Sequence, residues 1–115
     1  MVFVAQMLDL QAQQATDVPT QNSTIDQQIS YDTFFLEAMM QRQKGNNDAT
    51  FDLLQHCVEI NPKAAEAYYY LASYYLLLKQ DSLAQQCYLK AAELEPDNTT
   101  LLETVAQSYI SQQDY

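Results

Sequence analysis

Pro62 and Pro96 stand 34 residues apart, and the chain around them repeats in the same register. Phe34, Tyr68 and Leu102 fall at one equivalent position. Ala38, Ala72 and Ala106 fall at a second, and Gln41, Tyr75 and Tyr109 at a third. A fixed period of roughly 20–50 residues marks a solenoid, in which identical supersecondary units stack and each touches only its neighbours. That constraint excludes most single-core folds. It also implies an extended surface suited to a partner rather than a closed catalytic cavity.

The repeating unit reads as helical. Phe34, Ala38 and Gln41 share one face at i, i+4, i+7 spacing, beside Phe35 and Met39. Gly45-Asn46-Asn47 breaks the pattern, because Gly and Asn tolerate left-handed backbone, and Asp48 stands where an N-cap is expected. A second stripe, Phe51, Leu54 and Val58 with Cys57, ends at Asn61-Pro62, where the proline pushes its predecessor out of the helical region. The next unit repeats this plan. Tyr68, Leu71, Ala72 and Tyr75 form one face, Lys79-Gln80 turn, and Asp81 or Ser82 caps a partner helix with Ala84, Tyr88, Ala91 and Leu94. After Glu95-Pro96 a fifth helix follows, with Thr100 and Glu103 spaced as a capping box and a face of Leu102, Val105, Ala106 and Tyr109. The abundance of Leu, Ala, Gln, Glu and Met, with a single Gly, agrees with helix throughout.

The expected fold is therefore all-α, with units at residues 31–64 and 65–98 and a partial unit at 99–115. Residues 1–12 read as a signal-peptide remnant, since apolar MVFVAQMLDL runs into Leu10-Gln11-Ala12 and a polar tail. Residues 13–30, rich in Gln, Thr, Ser and Asn, read as a disordered polar linker. The apolar start is too short for a membrane span. Export to the periplasm is expected, with the cytoplasm as the alternative.

Charge and reactive residues narrow the function. Fifteen acidic residues against five basic give a net charge of −10. Nucleic-acid binding runs on phosphate neutralisation by Lys and Arg, and anionic membranes attract the same residues, so neither partner is expected. His56 is the single histidine and reads as a surface residue beside a core cysteine, Cys57. One His and two Cys in different units make no catalytic or zinc constellation. Cys57 and Cys87 read as two free thiols, because their directions need not converge. A single Gly leaves no phosphate-cradling loop. No catalytic residue, metal or cofactor is expected.

These residues resemble the tetratricopeptide repeat family, a 34-residue helix–turn–helix unit. Tyr68, Leu71, Ala72, Tyr75, Ala84, Tyr88, Ala91 and Pro96 all match its pattern of large, small and aromatic positions. In the first unit Phe34, Ala38, Leu54, Cys57 and Pro62 match, whereas Glu37, Gln41 and Thr50 depart, as is expected of a terminal capping unit. The combination of FFLEA, HCVEINP and the export-like start is similar to the N-terminal part of exported bacterial repeat proteins.

The resemblance implies a protein-binding scaffold whose concave groove is lined by the first helix of each unit. The groove residues it implies are Phe35, Met39 and Arg42 in the first unit, Tyr69, Ser73 and Leu76 in the second, and Glu103 and Gln107 in the third. With one Arg and no Lys there, the groove departs from the family's carboxylate clamps and suits an apolar segment with basic flanks. Two other readings stay open. The chain is the docking segment of a longer enzyme, sensor or envelope-assembly protein, or it self-associates through the apolar face of the fifth helix.

Overall fold

The protein is seen here as a computed structural model, which describes the backbone of residues 19–113 and the side chains of residues 24–111. Five helices follow one another, and among the described residues there is no strand: α1 (Pro19–Gln43), α2 (Asn47–Ile60), α3 (Ala65–Leu77), α4 (Asp81–Leu94) and α5 (Thr99–Gln113). Each helix packs on the next in chain order, the arrangement of a solenoid. The reading of residues 1–12 falls outside the described residues.

The connections repeat as faithfully as the helices. Gly45 and Asn46 donate backbone hydrogen bonds to the carbonyls of Arg42 and Gln41; their equivalents one period on, Lys79 and Gln80, donate to Leu76 and Tyr75. This double closure is a Schellman ending, and it requires a left-handed residue after the helix. Gly45 has φ +77°, and Lys79 takes the same place with φ 60°. The second helices end alike, with Asn61 donating to Cys57 and Glu95 to Ala91.

Three apolar clusters run along the stack. Tyr31, Cys57, Ala64 and Ala67 form the first, Ala38, Leu54, Leu71 and Tyr74 the second, and Ala72, Tyr88 and Val105 the third. Ala38, Ala72, Ala84 and Ala91 are fully buried, which is where small side chains let helices approach closely. Ala106, the equivalent of Ala38 and Ala72, is exposed, because no described helix follows α5 to pack on it.

Several local expectations need correction. The linker expected over residues 13–30 is helical from Pro19 onward. Proline suits a helix start, since its missing N–H would be unpaired there anyway. The extension is then tied down by a contact no local pattern reveals, in which Gln27 donates its side-chain amide to the Ile60 carbonyl, and by the i, i+4 bond that Gln28 donates to Asp32 at 2.9 Å.

The inward face of α5 is Leu101, Val105 and Tyr109, whereas Leu102 and Ala106 lie exposed. The caps also differ. Asp48 and Asp81 sit inside the first turns of α2 and α4, where a negative charge favours the helix dipole, and neither helix has a side-chain cap. At α5, Asn98 Oδ1 accepts the Leu101 N–H at 3.0 Å, so Asn98 rather than Thr100 is the cap.

The polar residues that departed from the repeat pattern are all hydrogen-bonded around the first turn. Gln41 donates to Glu37 at 2.8 Å and accepts from Asn46 at 2.6 Å, while buried Thr50 donates to the Asn46 carbonyl at 2.8 Å. No buried side-chain polar atom among the described residues lacks a partner.

A candidate protein-binding groove

Three consecutive tyrosines, Tyr68-Tyr69-Tyr70, open α3 and spread around more than half of its circumference. Tyr70 is the hub that the sequence reading missed. Phe35 stands 6.1 Å from its ring at a tilt, Tyr69 meets it edge-on at 5.5 Å, and the Arg42 guanidinium lies 5.0 Å from its centroid. Phe35 in turn stacks on Tyr31 at 5.8 Å, and Tyr69 meets Tyr88 at 5.9 Å. A continuous aromatic seam therefore crosses the boundary between the first two units. Arg42 bridges them by a cation–π contact rather than an ion pair.

Of the groove residues expected from sequence, Phe35, Met39, Tyr69, Ser73 and Leu76 are half-buried and Arg42 is exposed. Phe35 and Met39 pack against the second cluster, Tyr69 and Leu76 against the third. Each apolar one thus spends part of its surface holding units together and leaves part free. Glu103 and Gln107 are exposed on α5, and no hydrogen bond or ring contact ties them to the seam. The structure joins Phe35, Arg42 and Tyr69 through Tyr70; it does not join the third-unit pair to them.

Beside the seam lies a cleft of about 320 Å³, lined by Glu66, Tyr69, Tyr70, Glu95, Asn98, Thr100, Leu101 and Thr104. α3 supplies its floor, and the turn before α5 together with α5 supplies its far wall.

The reactive groups are subdued. His56 is exposed, stacks on Phe34 at 5.5 Å and faces Glu59 at 3.6 Å. Cys57 and Cys87 are free; burial, then the Glu66 carboxylate, pushes the Cys57 thiol up to about 11, and burial raises Cys87 too. Thiolate chemistry at neutral pH is correspondingly suppressed. Tyr31 is raised by burial and by its hydrogen bond to Glu66. Among the described residues, no group of three or more His, Cys, Asp and Glu could hold a metal ion, and no helix is long and apolar enough to cross a membrane.

Stacked helix pairs with repeated turns and an open aromatic seam define a helical-repeat solenoid. The family model described as tetratricopeptide repeat matches residues 53–86, which take in all of α3 and the flanking halves of α2 and α4. Among solved structures, the crystal structure of MamA is similar, with a TM-score of 0.63 at 19% sequence identity. The match covers 72% of this chain and 48% of that one, so the chain spans about half the length of its solved relative. That likeness speaks for the fold. A comparison with curated protein sequences found no match.

Proposed function

We propose that this chain is a non-catalytic scaffold that holds a segment of a partner protein along the aromatic seam, in a groove lined by Phe35, Met39, Arg42, Tyr69, Ser73 and Leu76. The observation that carries the reading is the seam itself: aromatic rings from two units meet at Tyr70 with part of their surface still open. Large, rigid side chains of this kind are the ones that anchor protein interfaces. The full-length chain should capture a partner from its host, and Tyr69→Ala should weaken that capture by roughly 1–3 kcal/mol. Arg42→Ala, at an exposed position, separates binding from folding. If both variants lose helicity in step with binding, the seam only packs the units together.

Self-association is a second reading, favoured by the outer face of α5, where Leu102 is 37% and Ile110 53% exposed. A second copy covering that face would appear in sedimentation as a concentration-dependent dimer. Leu102→Glu with Ile110→Glu should return it to monomer, and a wild-type chain monomeric at all concentrations rules the reading out. Export remains a proposal resting on residues 1–12, and N-terminal sequencing of protein from its host decides it.

A further inference from the structure

We infer that the cleft between α3 and α5 is a subsite for one basic side chain, Lys or Arg, of the partner segment. The inference deepens the groove reading and rests on it. The cleft brings two carboxylates, Glu66 and Glu95, to a floor made by the rings of Tyr69 and Tyr70. Both carboxylates are held in place by one oxygen. Glu66 Oε1 accepts the Tyr31 hydroxyl at 2.7 Å, and Glu95 Oε2 accepts the Asn98 side-chain amide at 2.8 Å. Asn98 is itself fixed by capping α5. The second oxygen of each carboxylate is left to an incoming donor.

Neither carboxylate has a cation of its own. Among the described residues the one ion pair is His56 with Glu59, on α2. A chain of net charge −10 has few cations to spare, so a basic group brought by a partner would find complementary charge here. The remaining walls suit the stem of a basic side chain. Leu101 and the Tyr69 ring offer apolar surface for its methylenes, which Lys and Arg bury while keeping the charged head among polar groups. The seam already holds one cation this way, with Arg42 over Tyr70, so its rings are placed for cation–π contact. An acidic side chain would meet both carboxylates with like charge, and a purely apolar one would take water from them without supplying a counter-charge.

The test titrates the isotope-labelled full chain with N-acetylarginine methylamide and with its neutral isostere, N-acetylcitrulline methylamide, following backbone amides by NMR. The expected result is saturable shifts at Tyr69, Leu101 and Thr104, with arginine bound about tenfold more tightly than citrulline. Glu66→Gln with Glu95→Gln should bring the two ligands to parity, because glutamine keeps the acceptor for Tyr31 but removes the charge. Glu95→Gln alone, in an exposed turn, serves if the double variant loses helicity. Equal affinities in the wild type overturn the subsite. So does a preference for arginine that survives both substitutions, since attraction is then spread over the acidic surface. The groove is read independently by partner capture. Capture that still depends on Tyr69, with no arginine preference, removes the subsite alone; arginine preference without any capture removes the groove reading alone.

Discussion

Tyr31 donates its phenol to Glu66 Oε1 at 2.7 Å, a bond that fastens α1 to α3 across the first unit boundary. The ring is buried at 4% exposure and stacks on Phe35, so the hydroxyl reaches the bond from within the core. Tyr31→Phe keeps the packing and removes the bond. Urea unfolding should show a loss of about 1 kcal/mol with an unchanged slope, because exposed Glu66 regains water when its partner is gone. No loss would mean that the stacked ring alone holds the boundary.

Stability should fall in alkali. Tyr31, Tyr68, Tyr109, Cys57 and Cys87 are all raised in the folded chain, chiefly by burial. Each is neutral when protonated, so the folded state holds its protons to higher pH than the unfolded state does. Their stabilisation is complete below the ordinary thiol and phenol values and is lost as pH rises toward the folded ones. For Cys57 the window runs from the ordinary thiol value of 9.0 to about 11. Thermal midpoints should therefore be flat through neutral pH and drop across that window. A midpoint that climbs there contradicts the burial of these groups.

Lys79 occupies the left-handed position that Gly45 occupies one period earlier. A side chain pays a steric penalty there that glycine avoids. Lys79→Gly should stabilise the chain by about 0.5–1 kcal/mol, and Gly45→Ala should destabilise it by about 1 kcal/mol. The open space around a Cβ at Gly45 makes the second effect a matter of backbone alone. Matched chemical denaturation of the two variants checks both signs.

Asn98→Ala should cost about 1 kcal/mol, since it removes the side-chain acceptor of the Leu101 N–H. Thr100→Ala, in the first turn just past the cap, should cost only a few tenths. Hydrogen exchange at the α5 amides distinguishes the two. Equal loss from both would restore the capping box expected from the sequence.

The sequence by itself determined the repeat, because the period survives wherever a residue's role is set by its own helix pair. Ala38, Ala72, Ala84 and Ala91 are buried as their spacing requires, and the turns at Gly45 and Lys79 close identically. Those features are local or one period apart, and periodicity carries them. The tertiary structure decided what depends on a neighbour. Ala106 shares the register of Ala38 and Ala72 yet is exposed, and Leu36 and Met40 are exposed where their equivalents Tyr70 and Tyr74 pack on the preceding unit.

Residues 19–30 lack an apolar stripe and read as linker, but the Gln27 bond to Ile60 gives them a helix to lean on. Tyr70 was one aromatic among nine tyrosines until Phe35, Arg42 and Tyr69 closed around it. Glu66 and Glu95 are far apart in the chain and became one cleft only when α5 folded back beside α3. A helical pattern records which way a side chain points along its own axis; which surface it meets is fixed by the stacking of the next helix, and that lies outside any single period.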